Sequence, residues 1–177
     1  MERLSDAGLG LDHDALRLER TSERWIEVGT SLRDQVAADL DGLAADVEQV
    51  GSSSVLGLLA KPIIDLAVGI VSEHDIAPIS KSLTSDGWIY HGDAGPSGGH
   101  VFMLETRPGH RVAHLHVVEF GGTQWVDYLR LREVLRASAG ARARYDAVKL
   151  RLVDDVDGDR VAYTDGKTDV VRQLLGD

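Results

Sequence analysis

A carboxylate set inside the most apolar stretch of the chain constrains this sequence more than any other feature. Ile63-Ile64-Asp65-Leu66-Ala67-Val68-Gly69-Ile70-Val71 is short, rich in β-branched residues and preceded by Lys61-Pro62, which predicts a central strand buried on both faces. An ionised side chain in such a strand is costly to bury unless it is paired or binds a metal. Alternation puts Asp65 on one face with Ile63, Ala67 and Gly69, so that face becomes small beyond the carboxylate and leaves room for a ligand. The plain structural alternative is an Asp bonded to a helix N-terminus or to Lys61, and at this level both readings stand.

Thirteen positions before Asp65 stands Ser52, in the turn-forming run Gly51-Ser52-Ser53-Ser54 that follows a short strand ending at Val50. A Gly-Ser turn opening a helix offers backbone N–H groups and hydroxyls to an anion. Gly51 lets the backbone approach closely, Ser52 adds a side-chain donor, and Lys61 can add positive charge. A second constellation is His114-Leu115-His116 on a late strand, where i, i+2 spacing sets both imidazoles on one face, able to bind a metal or phosphate. Leu115 and Val117 turn into the core, and Glu119 has the opposite parity to the histidines. H-x-H pairs are more often surface or hydrogen-bonded residues than ligands, so this signal alone is weak. Other chemistries drop out. Gly95-Pro96-Ser97-Gly98-Gly99 lacks the Lys-Ser/Thr ending of a P-loop, no G-x-S-x-G elbow occurs, and the absence of cysteine removes thiolate zinc sites and Cys nucleophiles.

A chain of 177 residues, 43% hydrophobic and 27% charged, suits one globular domain around one core. Residues 1–14 are polar, without clear period, and read as a flexible leader; residues 15–177 read as the single domain. Leu16 and Leu18 suggest a short edge strand. Ser22 caps a helix whose apolar stripe runs from Trp25 through Val28, Leu32, Val36 and Leu40 to Leu43. A helix through Ile76, Ile79 and Leu83 follows the Asp65 strand. Then come strands at Trp88 to His91, Val101 to Thr106 and Val112 to Phe120, the last two joined by a Pro108-Gly109 turn. Three helices close the chain, around Trp125 to Val134, Ala141 to Leu152, and Val170 to Leu175. The order predicts an α/β (α+β) domain, a mixed central β-sheet flanked by helices. No apolar run approaches the roughly 20 residues of a membrane span, and no signal peptide opens the chain, so a cytoplasmic protein without a membrane partner is expected. The formal net charge of −10 argues against binding long nucleic acid, whose affinity rests on neutralised phosphates.

The segment Val50-Gly51-Ser52-Ser53-Ser54-Val55-Leu56-Gly57-Leu58-Leu59-Ala60-Lys61-Pro62-Ile63-Ile64-Asp65 resembles the GrpB-like family. The likeness continues through Gly87-Trp88, Ala113-His114-Leu115-His116-Val117-Val118, Trp125, Leu131-Arg132-Glu133-Val134-Leu135-Arg136, Tyr145-Asp146-Ala147-Val148-Lys149 and Tyr163-Thr164-Asp165-Gly166-Lys167. It implies the nucleotidyltransferase-like fold, with a polymerase-beta-like core and C-terminal helices packed on it. It further implies a triphosphate motif at Gly51, Ser52 and Ser53 and an acidic strand for Mg²⁺ at Asp65. Lys61, Arg132, Lys149 and Lys167 are then expected phosphate ligands, and Asp65, His114 and His116 the catalytic set, with Asp65 and His116 as metal ligands. The chain departs from the pattern in three places. Ala67 stands where the superfamily has a second carboxylate, Leu56 replaces a Pro, and Arg20-Thr21-Ser22-Glu23 precedes Trp25.

Three readings follow. The first is an enzyme that takes ATP or another nucleoside triphosphate with Mg²⁺ and transfers a nucleotidyl group to, or adenylates, a small-molecule acceptor. The second is a catalytically degenerate nucleotide-binding or interaction domain. The third is a single-metal enzyme built on His114, His116 and Asp65.

Overall fold

The structure, a computed structural model, describes residues 2–13, 15–94, 99–155 and 160–176; most of the glycine-rich run 95–99 therefore lies outside the described residues. In chain order the elements are α1 (Glu2–Asp6), β1 (Leu11–Asp12), β2 (Glu19–Arg20), α2 (Glu23–Asp39), β3 (Asp46–Val50), β4 (Leu59–Ala60), β5 (Ile64–Ile70), α3 (Ile76–Ser85), β6 (Trp88–Asp93), β7 (His100–Arg107), β8 (His110–Glu119), α4 (Thr123–Ala137), α5 (Ala139–Asp155), α6 (Arg160–Asp165) and α7 (Thr168–Leu175). A single 3₁₀ turn, Ser52–Ser54, follows β3.

The main sheet runs β3-β5-β8-β7-β6, with β1 added to β8; β5 pairs with β8 in parallel, and the other pairings of this sheet are antiparallel. This is the mixed sheet that the order of elements predicts. The strand around Asp65 is central, with every residue of Ile64–Ile70 except Asp65 buried. Strand alternation sorts two cores. Ile64, Leu66, Val68 and Ile70 pack with Leu115 and Val117 of β8 against Trp25, Val28, Leu32 and Val36 of α2 and Ile79 and Leu83 of α3. The opposite face carries Val50, Ala67 and Val118 under Trp125 of α4. Beside it α4, α5 and α7 form their own cluster around Leu135, Ala141, Tyr145 and Val170. Asp65, His114 and His116 stand on this second face, because β5–β8 register pairs Asp65 with His114 and Ala67 with His116.

Three expectations need correcting. The leader is not loose in its described residues: Leu4, Leu9 and Leu11 are buried, and the Trp25 indole donates to the Ala7 carbonyl at 2.9 Å. Apolar side chains spaced among polar ones gave no period, yet three of them suffice to dock the segment. The short strand lies at Glu19–Arg20, paired with Leu59–Ala60, rather than at Leu16 and Leu18. The helix capped by Ser22, whose Oγ accepts the Trp25 N–H at 3.3 Å, ends at Asp39, and Leu40 is its buried cap.

Candidate functional site

The site is built where β3 turns away beside β5. Gly51 leaves β3 at φ 67°, a conformation L side chains rarely adopt. A Cβ there would lie 2.7 Å from Asp65 Oδ2. Glycine is thus required twice, for its backbone and for the approach of the carboxylate. The turn that follows is one 3₁₀ turn instead of the expected α-helix. It is tied to β5 by Ser53, whose Oγ accepts the Asp65 N–H at 3.2 Å, and it is closed by the Ser54 hydroxyl, which donates to Gly51 O at 2.7 Å. Ser53 is buried and spent on this link, whereas Ser52 is half-buried at the mouth.

Asp65 keeps 31% of its side-chain surface open, and its Oδ1 stands 3.4 Å from His114 Nδ1. Desolvation pushes its carboxyl up, but the hydrogen bond and charge of His114, with Lys61 and His116, outweigh it and hold the group below the usual carboxylate range. His114 Nε2 is buried without a hydrogen-bond partner. The His116 ring lies 5.6 Å from that of Tyr128, which leans on the sheet from α4.

The cations divide sharply. Arg132 lies at 2.7 Å from Glu48 and 2.9 Å from Glu133 and donates to the Gln49 carbonyl, so it clamps α4 to β3 and is not presented to a ligand. Lys149 is buried; it bonds the Leu59 carbonyl, reaches Ser52 Oγ at 3.4 Å and pairs with Asp146 at 3.3 Å. Burial pulls its ammonium down to about 8 against the support of Asp146. It therefore positions Ser52 from beneath. Lys61 and Lys167 both lie near one aromatic ring: their Nζ atoms are 5.7 and 4.7 Å from the Tyr163 centroid. Burial, with Lys61 beside it, lowers Lys167 to about 7, although Asp65 opposes the shift.

Sequence reasoning did not single out the tyrosines. Tyr145 and Tyr128 are pushed up to about 12 by burial, Tyr163 still higher, and Asp65 contributes to each. All three come from the helical side, on α4, α5 and α6. Tyr145 and Tyr163 stood in the family-like blocks, whereas Tyr128 gave no signal in the sequence. Tyr128, Tyr145 and Lys167 also line a cleft of about 550 Å³ between α4, α5 and the α6–α7 corner. A second cleft, about 530 Å³, opens at the far end of β5 and β8 among Glu73, Asp93, His100 and Glu119. Its acidic lining suits an anion poorly, so the chemistry is assigned to the Asp65 end.

Mg²⁺ wants oxygen ligands and commonly uses one or two carboxylates plus substrate phosphates. Asp65 meets that minimum. A transition-metal centre is not supported, since no group of three His, Asp or Glu among the described residues could hold an ion. Nor is any described helix long and apolar enough to cross a membrane.

Comparison with known proteins bears on this arrangement. The crystal structure of a conserved GrpB protein from Enterococcus faecalis superimposes with a TM-score of 0.78 at 24% identity, covering 90% of this chain and 95% of that one. Cid1 bound to the UTP analogue UMPNPP superimposes at 0.52 and 15% identity, covering 76% of this chain but 41% of Cid1. The fold is nucleotidyltransferase-like. The glutamate-rich protein GrpB of Alkalihalophilus pseudofirmus is 27% identical over 172 residues, covering 96% of this chain and 99% of that protein. A UPF0157 protein of Streptomyces coelicolor is 36% identical over 157 residues, 84% of this chain and 76% of its own length. The GrpB protein family matches residues 15–177, and on that match the chain belongs to the GrpB family.

Proposed function

We propose that this protein binds a nucleoside triphosphate with Mg²⁺ at the Asp65 end of β5 and transfers its nucleotidyl group to a small-molecule acceptor. The observation that carries the reading is the approach of Gly51 to Asp65, which sets a glycine-serine turn against a carboxylate that feels the charges of Lys61 and Lys167. A likeness in fold to Cid1, described in complex with a UTP analogue, supports it.

In this reading Ser52 and the Gly51 turn meet the phosphates, and Lys149 holds the Ser52 hydroxyl in place. Lys61 and Lys167 neutralise phosphate charge. Asp65 would hold Mg²⁺ together with phosphate oxygens, and the ion would withdraw charge from the reacting phosphate. The acceptor oxygen bonds to the α-phosphorus, the bond from that phosphorus to the bridging oxygen breaks, and pyrophosphate leaves. The acceptor proton passes to His116, on the same face as Asp65. His114 orients the carboxylate through its 3.4 Å contact.

A second reading, a catalytically degenerate nucleotide-binding or interaction domain, draws on one observation: Ala67, at the position of a second carboxylate, is sealed under α4. One experiment separates the two. The protein is incubated with each nucleoside triphosphate, Mg²⁺ and a pool of small hydroxyl and carboxylate acceptors, and pyrophosphate is measured. Release that is lost in Asp65→Asn supports transfer. Triphosphate binding by calorimetry without pyrophosphate supports a binding domain, and absence of binding removes the transfer reading and leaves the interaction domain.

A further inference from the structure

Resting on the triphosphate reading, we propose that the site works with one divalent cation, and that Lys61 and Lys167 supply the positive charge that a second ion would bring.

The first support is that the second ion has no place to sit. Ala67 lies two residues along the Asp65 face and is fully buried among Val50, Val118 and Trp125, with Tyr128 and Leu129 packed on it. One step farther, a Cβ on Gly69 would meet Phe120 at 2.7 Å and Trp125 at 3.1 Å, so α4 presses on this strip of β5. The carboxylate beside Ala67 in the sheet is Glu48, its register partner on β3, and Arg132 holds it at 2.7 Å. On the other side of Ala67 the partner is His116, whose ring meets that of Tyr128 at a tilt of 53°. An apolar lid, a carboxylate already paired and an imidazole do not make the oxygen cage that a hard cation needs.

The second support is the charge that stands there instead. In a chain of net charge −10, three ammonium groups gather around Asp65 and Ser52: Lys61, Lys149 and Lys167. Lys149 is matched by Asp146. The Nζ atoms of Lys61 and Lys167 lie 5.7 and 4.7 Å from the centroid of the same Tyr163 ring, and the charge of Lys61 raises the cost of charging Lys167. Two like charges held close to one ring are unfavourable in isolation and become favourable when a polyanion meets both. Lys61 comes from the sheet layer and Lys167 from the α6–α7 corner, so a triphosphate that met both would bridge the two layers.

The test uses the intact protein with α,β-methylene-ATP and Mn²⁺, an ion whose bound fraction can be counted. Equilibrium dialysis should give one Mn²⁺ per bound nucleotide. Lys61→Met and Lys167→Met should each weaken nucleotide binding about tenfold or more, with or without metal, because a charge-assisted contact is lost. Asp65→Asn should remove only the metal-dependent part. Circular dichroism confirms that each variant is folded, and the double Lys→Arg variant should retain binding if charge alone is required. Two Mn²⁺ per nucleotide would overturn the proposal while leaving the triphosphate reading intact. One Mn²⁺ with unchanged affinity in both lysine variants would overturn it as well. No nucleotide binding in the wild type would bring down the triphosphate reading and this proposal together.

Discussion

Gly51 and Lys167 show how single residues carry this site. Gly51 sits at φ 67° with Asp65 Oδ2 only 2.7 Å from where a Cβ would be. Gly51→Ala should cost about 1–3 kcal/mol for the backbone and push Asp65 aside, so urea unfolding should show the loss and metal-dependent triphosphate binding should fall with it. Lys167 has the opposite character, because its ammonium is disfavoured by folding. Its pKa is lowered from 10.5 to about 7, so between those values the unfolded chain holds more protons and stability rises with pH across that window. Lys167→Met should therefore stabilise the protein near pH 7 and flatten that rise. Lys149, lowered to about 8, leaves a residual slope. Urea unfolding at pH 7 and pH 9.5 measures both effects. An unchanged slope would mean that Lys167 is solvated.

At the scale of elements, two ion-paired joints help to hold the helical layer to the sheet layer. One is Asp146 of α5, which accepts from the Leu59 N–H at 3.1 Å and from Arg20 at 3.0 Å and pairs with buried Lys149. It fastens α5 to the β2–β4 ribbon. Asp146→Ala should cost about 3–5 kcal/mol, since it leaves Lys149 buried without its charge partner. Lys149→Met should cost less, because Asp146 keeps Arg20. A double-mutant cycle should show strong coupling. The other joint is Arg132 on Glu48, formed across 84 residues of sequence. These joints explain what was legible in the chain. Alternation and apolar periodicity follow local geometry, so the β5 strand, the faces of Asp65 and His114, and helices α2, α4 and α5 could be read directly. Whether Arg132 or Lys149 is spent on an internal acid depends on partners brought close only by packing, and no spacing reports that. The same holds for Ala67, whose sealing needs Trp125 and Tyr128 from a later helix. Ala67→Asp should accordingly cost several kcal/mol, on the order expected for burying an unpaired carboxylate, and a stable, two-ion Ala67→Asp protein would contradict the sealing.

For the molecule as a whole, the consequence is that a ligand joins two layers. The sheet and its turn contribute Gly51, Ser52, Lys61 and Asp65, while Tyr145, Tyr163 and Lys167 come from the C-terminal helices. The described residues of the α6–α7 corner are mostly exposed or half-buried, whereas β5 is buried except at Asp65, so that corner should open locally more readily than β5. A triphosphate held by Lys61 and Lys167 at once restrains that opening and binds only the folded state. At a ligand concentration of 100 times Kd it adds about 2.7 kcal/mol to stability. For a domain of this size, each kcal/mol raises Tm by about 2–4 °C, so Tm should rise by about 5–10 °C. Hydrogen exchange should place the gain unevenly, with α6 and α7 slowed most and the already protected core strands little changed. In Lys167→Met the Tm gain at the same ligand concentration should shrink, and the slowing of α6 and α7 should vanish even when ligand is raised to restore saturation. If protection instead appeared along Glu73, His100 and Glu119, the anion would be seated at the far end of the sheet, and the assignment to Asp65 would fail.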